Sequence, residues 1–208
     1  MTTHLGKAIF LDRDGVLNAM VYDEDHGLLD SPRRPADVRM IPGAGTFLAS
    51  IRRAGWLAVV VSNQPGIAKE YFTVSELEAV NQALLEQCRA EGGPEALWDD
   101  LLYCPYHPTG REGRSNPYVT QSPLRKPEPG MLLEAAKRHH LNLAASWMVG
   151  DGLVDVQAGR RAGCRTLLVA GSLKLEVIER FLSMKDAYPD RVAGDLTEAL
   201  HIIKASPA

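Results

Sequence analysis

Acids, a hydroxyl and an ammonium group stand in this chain where apolar runs stop. Asp12 and Asp14 follow AIFL (8–11), Ser62 follows WLAVVV (56–61), and Asp151 follows WMVG (147–150). Lys126 begins a Lys-Pro-Glu-Pro stretch, and Asp155 stands four residues past Asp151. In an extended chain residues i and i+2 project to the same side, so Asp12 and Asp14 bring two carboxylates together. Neighbouring carboxylates repel, and a third at Asp151 makes a bound cation the natural counter-charge. Oxygen ligands with room for substrate phosphate suit Mg2+. The competing reading of Asp-x-Asp-Gly is an ordinary turn, since Asp and Gly both favour turns.

Such residues act together only if the fold gathers them. Strand-length apolar runs alternate with helical patterns: a strand at 8–11, a helix from Pro42 to Ala54, and a buried strand at 56–61. Thr73-Val-Ser-Glu76 has the form of a capping box and predicts a helix carrying Leu77, Val80, Leu84 and Cys88 as far as Gly92. Strands are predicted at 99–104, 147–150 and 166–170. Helices are predicted from Pro129 to His140, from Val154 to Ala162, and from Ala199 to Lys204 behind an Asp195 cap. Strand–helix alternation implies right-handed crossovers and a parallel sheet, hence an α/β, doubly wound, Rossmann-like fold. In such sheets ligands lie beyond the carboxyl ends of the strands, where Asp12, Ser62 and Asp151 all fall. Segments 19–39 and 105–124 lack periodicity and are expected to be irregular loops beside the site. The intervals between motifs leave no room for a separate cap domain, so residues 1–208 are expected to form one domain.

Composition narrows the possible partners. The 208 residues carry a net charge of −3, with Lys and Arg dispersed, which disfavours a nucleic-acid partner. Three widely spaced cysteines give no disulfide framework. No 18-residue apolar run or signal-peptide pattern is present, so a soluble, cytoplasmic protein is expected, and the small-residue and apolar content suits a monomer.

FLDRDG, VVVSNQ, RKP and GDGLVD occur in the order and approximate spacing of the haloacid dehalogenase superfamily of phosphohydrolases. The longer strings FLDRDGVLN, VVVSNQPGIA, RKPEPGML and MVGDGLVDVQAG resemble its branch of D-glycero-D-manno-heptose 1,7-bisphosphate phosphatases and histidinol-phosphatases. The resemblance implies a Mg2+-dependent phosphatase acting on a small phosphorylated metabolite. It makes Asp12 the nucleophile and Asp14 a general acid/base that holds a proton part of the time. Asp12, the Asp14 carbonyl and Asp151 would bind metal, Ser62 and Lys126 would hold phosphoryl oxygens, and Asp155 would orient Lys126 or the metal shell. Asn18, Asn63, Gln64 and Arg125 would meet substrate. Asn18, Asn63 and Gln64 also suit turns, and Asp155 also suits a helix N-terminus. A receiver-like phospho-acceptor and a polynucleotide-end phosphatase are the alternatives from other classes.

One departure is plain. Relatives of this branch often hold Zn2+ through Cys-x-His and Cys-x-Cys before Arg-Lys-Pro. Here Cys104 is present, but Tyr106, Ser122 and Leu124 occupy the other ligand positions and His107 is one place late. One thiolate and a displaced imidazole do not close a tetrahedral site, so no structural zinc is expected.

Overall fold

The computed structural model describes residues 6–23, 27–171 and 188–206. In chain order the strands are β1 (Ala8–Leu11), β2 (Val21–Asp23), β3 (Leu28–Asp30), β4 (Leu57–Asn63), β5 (Asp100–Cys104), β6 (Trp147–Gly150), β7 (Arg165–Val169) and β8 (Arg191–Ala193). The helices are α1 (Ala44–Arg53), α2 (Val74–Gly92), α3 (Gly130–His139), α4 (Leu153–Ala162) and α5 (Leu196–Ala205). Six strands form one sheet in the order β5-β4-β1-β6-β7-β8, every pair parallel. The chain winds outward from β1 in both directions, so the order reverses at β1, where doubly wound sheets open their ligand crevice.

Strand side chains explain the two helical layers. Ile9, Leu11, Ala58, Val60 and Val149 face one core with Phe47 and Ile51 of α1, Val80 and Leu84 of α2, and Ala199 and Ile203 of α5. Ala8, Phe10, Val59, Val61 and Met148 face the other, against Met131, Leu132 and Ala135 of α3 and Ala158 of α4. With both faces covered, alternate residues are equally apolar, which is why the central strands are unbroken hydrophobic runs.

Local signals hold in detail at α2: the Thr73 hydroxyl accepts from the Glu76 N–H at 3.2 Å, and the Glu76 carboxylate accepts from the Thr73 N–H at 2.7 Å. Other boundaries move. α1 starts at Ala44 rather than Pro42, because Gly43 is left-handed and serves as its N-cap. β4 continues through Ser62 and Asn63, which pair with Tyr103 and Cys104 of β5. α5 begins directly after Asp195, whose carboxylate accepts from the Glu198 N–H at 2.8 Å. β8 has no counterpart in the sequence reading.

Segment 19–39 is not irregular throughout. β2 and β3 pair antiparallel, and Pro35–Asp37 form a 3-10 turn; residues 24–26 lie outside the described residues. Arg33 binds Asp23 and Asp30 and lies 4.3 Å from the centre of the Tyr71 ring, clipping both strands to the segment after β4. Strands of three residues held by ion pairs leave no hydrophobic period to read. Among the described residues no helix is long and apolar enough to cross a membrane.

Candidate active site

Asp12 leaves the end of β1 with its N–H donating to Val149 O of the adjacent strand at 2.9 Å. Its carboxylate accepts from the Arg13 N–H at 2.7 Å and lies 2.9 Å from Lys126 Nζ. Lys126 is buried and has two further partners, Asp155 at 2.6 Å and Val61 O at 2.8 Å. Asn63 holds the lysine backbone from both sides: its amide oxygen accepts from the Lys126 N–H at 3.0 Å, and its amide N–H donates to Lys126 O at 2.9 Å. Asn63, expected to meet substrate, uses its amide oxygen and one amide N–H to place Lys126.

The crevice carries excess negative charge. Burial, then the charge of Asp155, raises Asp12 to about 7 against the pull of Lys126. Desolvation, then the Asp12 charge, raises Asp151 to about 6. Burial also raises Asp155. Burial alone would lower Lys126, but Asp12 and Asp155 outweigh it and hold the ammonium above its ordinary value.

Oxygens of Asp12, Asp151 and Asp155 lie within 4.8 Å of one another, a spacing that suits a divalent cation. Asp155 is engaged by Lys126 and by the Gly152 N–H at 3.1 Å, which leaves Asp12 and the exposed Asp151 as the carboxylates best placed to ligate. Gly15 makes that approach possible. Its φ is +87°, and a Cβ there would stand 1.9 Å from Asp151 Oδ2.

Asp14 is turned toward a different set of partners. Arg13 donates through Nε to its Oδ1 at 3.2 Å and through Nη2 to both oxygens at 3.0 Å. Asn18 adds a bond to Oδ1 at 2.9 Å, while Ser31 and Gln64 each bond Oδ2 at 2.8 Å. Burial would raise this acid, but Arg13, Asn18 and Ser31 together hold it below the usual carboxylate value. That donor set favours the ionised carboxylate, so work as an acid requires a proton taken up as one of these donors leaves. The other Gln64 N–H donates to Ser62 Oγ at 2.8 Å, tying the hydroxyl to the acid.

The fold thus gathers Asp12, Asp14, Asn18, Ser62, Gln64, Lys126, Asp151 and Asp155 around the end of β1. Arg125 points elsewhere, its Nη1 3.5 Å from Tyr106 O in the 105–124 segment. In that segment the rings of Tyr106 and Tyr118 lie 5.8 Å apart, and Ser122 Oγ accepts from the Leu124 N–H at 3.2 Å. Cys104 is a buried thiol at the end of β5. Sequence reading missed Arg13, Ser31 and Asn81. A signal existed for two of them: Arg13 sits inside the acidic motif, and Asn81 interrupts the apolar face that Leu77, Val80 and Leu84 mark on α2.

A doubly wound sheet with paired acids at its switch point, a buried lysine and a further acid defines a haloacid dehalogenase-like hydrolase, and this chain belongs to that family. Residues 123–199 match the family described as "HAD-hyrolase-like". The D-glycero-D-manno-heptose-1,7-bisphosphate 7-phosphatase of Thermosynechococcus vestitus is 35% identical over 94% of each chain. D-glycero-beta-D-manno-heptose-1,7-bisphosphate 7-phosphatase of Mesorhizobium japonicum is 45% identical over 75% of this chain, which spans 65% of that relative's length. The crystal structure of D,D-heptose 1,7-bisphosphate phosphatase from B. bronchiseptica, complexed with magnesium and phosphate, superposes with a TM-score of 0.73. It is 30% identical and covers 95% of this chain and 98% of its own. Within the family, the chain belongs with these phosphoric monoester hydrolases.

Proposed function

We propose that the protein is a Mg2+-dependent phosphatase that removes one phosphoryl group from a small sugar bisphosphate, with D-glycero-D-manno-heptose 1,7-bisphosphate, cleaved at position 7, as its substrate. The observation that carries this reading is Lys126 Nζ seated between Asp12 and Asp155 beside Asp151. That arrangement keeps a nucleophilic carboxylate, a fixed cation and a metal ligand within one phosphoryl group's reach. Relatives that hydrolyse this bisphosphate share the fold and most of the chain length.

Two displacements follow. In the first, an Asp12 oxygen bonds to phosphorus as the ester P–O bond breaks, and Asp14, having taken up a proton from solvent in exchange for one of its present donors, delivers it to the departing alkoxide. In the second, water bonds to phosphorus, the acyl-phosphate P–O bond breaks, and Asp14 takes the proton from water. Lys126 and Ser62 stabilise phosphoryl oxygens as charge builds on them. Asp12, Asp151 and the Asp14 carbonyl would hold Mg2+, which would supply charge to neutralise the phosphoryl group and its nucleophile. Asp14 must exchange one of its present donors to take part.

A second phosphate calls for cations at the rim. Lys69, Tyr71, Gly110 and Arg111 line a cavity of about 460 Å3. Burial, and the charges of Arg125 and Lys69, keep the nearby His107 imidazole below its usual value against a bond to Thr109. Two cations on this cavity support a substrate with a second phosphate over one with an ammonium group, as in histidinol phosphate. A net charge of −3 and dispersed arginines speak against a nucleic-acid partner, and three free cysteines support a reducing, cytoplasmic setting for a monomeric, single-domain hydrolase of carbohydrate metabolism. Tyr106, Ser122 and Leu124 in place of ligands support a 105–124 segment without zinc.

The test is phosphate release across a panel of sugar phosphates, sugar bisphosphates, histidinol phosphate and a 5′-phosphorylated oligonucleotide, with Mg2+ and then with EDTA. The heptose bisphosphate is expected to exceed histidinol phosphate at least about tenfold in kcat/KM, with EDTA abolishing release. The reverse ranking removes the substrate assignment. A stable phosphoprotein without turnover favours the receiver-like alternative. Elemental analysis of the same sample decides the zinc question.

Metal binding should depend on pH. A cation needs Asp12 and Asp151 ionised, so protons compete with it as pH falls through about 7 and about 6. Mg2+ affinity is expected to be highest on the alkaline side and to fall about tenfold per pH unit on the acid side for each proton displaced. Calorimetric titration at about pH 5.5 and about pH 8 checks this, and equal affinities would contradict it.

A further inference from the structure

Arg13 stands between the two acids of the motif and is 1% exposed. Consecutive side chains ordinarily diverge, and here the loop curls to bring residues 13 and 14 together: the N–H groups of Leu17 and Asn18 donate to Arg13 O at 2.8 and 3.1 Å. The guanidinium then forks onto Asp14, while its remaining Nη1 donates to Asn81 Oδ1 on α2 at 2.7 Å. A buried arginine held at both ends fixes the plane of the carboxylate it grips.

The Asp14 oxygens offer about four acceptor positions, and Arg13, Asn18, Ser31 and Gln64 occupy them. No position is left for the proton that a leaving alkoxide takes or that an attacking water gives up. Asn18, Ser31 and Gln64 each give one neutral hydrogen bond, weaker than the two-pronged ionic grip of Arg13, so a donor among these three yields. Ser31 directly follows β3, which places one of these exchangeable bonds on the hairpin segment.

We propose that Arg13 is a positioning residue for Asp14, with Asn81 as its anchor. The fork keeps the carboxylate plane aimed while a neutral donor gives way to the reacting oxygen. This assignment rests on Asp14 being the proton-transfer group proposed above. It assigns a task in the reaction to a residue of α2, on the helical layer flanking the crevice.

The leaving group separates this role from a structural one. Nitrophenolate departs without a proton, so the first displacement on p-nitrophenyl phosphate needs Asp12 and Lys126 but not Asp14. Departure of an alkoxide and attack of water both need it. Rapid-mixing kinetics on the full chain with Mg2+ would compare wild type, Asp14→Asn, Arg13→Lys and Asn81→Ala. In the last two, nitrophenolate is expected in a burst of about one per site, at a rate within about threefold of wild type. Steady-state turnover of p-nitrophenyl phosphate then falls about 100-fold and its KM falls with it, while a sugar phosphate loses about 100-fold in turnover with KM little changed. Lysine keeps the charge but cannot fork, so it should not rescue. Should Arg13→Lys fail to fold, Asn81→Ala decides alone, because it leaves Arg13 in place.

The proposal is overturned if Arg13→Lys and Asn81→Ala turn over the sugar phosphate within about threefold of wild type while Asp14→Asn shows the burst. It is equally overturned if the burst rate falls in parallel with the steady state, since that marks damage to the whole site. Full turnover by Asp14→Asn would remove the acid/base role itself, and the present proposal with it. The Asp14 variant thus tells the two failures apart.

Discussion

Asp12→Asn is expected to reduce turnover by roughly 10⁴–10⁶-fold, the range seen when a covalent nucleophile is lost. The amide keeps the shape of the carboxylate, and its oxygen can still accept from the Arg13 N–H at the end of β1. It cannot form the acyl-phosphate. Stability should not fall with activity, because Asp12 is a half-buried acid whose ionisation desolvation and Asp155 oppose. A neutral side chain removes that repulsion, and Lys126 retains Asp155 at 2.6 Å. Borohydride trapping of enzyme mixed with substrate should label residue 12 in the wild type and nothing in the variant. A variant with full turnover, or a label elsewhere, would remove Asp12 from the nucleophile's role.

Lys126→Met should be damaging in both respects. The methionine fills most of the space but leaves Asp12 and the buried Asp155 without their shared cation. Removing one partner from a buried ionic cluster costs about 3–5 kcal/mol. For a domain of this size that corresponds to a fall in Tm of roughly 6–20 °C. Activity should drop about 10²–10³-fold through loss of a charge that faces the phosphoryl group. The drop should be steepest at neutral pH, where Asp12 without its ammonium partner holds its proton more firmly. Excess Mg2+ should recover part of the stability and little of the rate, since a cation at Asp12 and Asp151 replaces charge without replacing Lys126. Thermal melts with and without Mg2+, beside initial rates, separate the two effects. A variant as stable as wild type in EDTA would show that Asp155 does not depend on the lysine for its charge balance.

The two expectations draw on unequal shares of sequence information. Asp12 was legible because its signal is local: an apolar tetrapeptide buried on both faces, then an acid, then another acid two residues later. Lys126 was legible only as one member of an ordered set of motifs. Its exchange of hydrogen bonds with Asn63 spans 63 residues of sequence and could not be read from either stretch. The same limit hid the hairpin of segment 19–39, where three-residue strands and the ion pairs of Arg33 leave no periodic trace.

Taken alone, the order of residues determined the doubly wound sheet, the two helical layers and the acids at the ends of β1 and β6. Those features follow from short-range rules: side-chain alternation along strands, apolar spacing along helices, and caps at their ends. Only the tertiary structure decided which polar groups face one another. It turned Asp14 into the fork of Arg13, anchored that fork on Asn81 of α2, and spent Asn63 on the backbone of Lys126. The physical reason is that a hydrogen bond is selected by distance and angle between atoms, and those are set by packing elements remote in the chain.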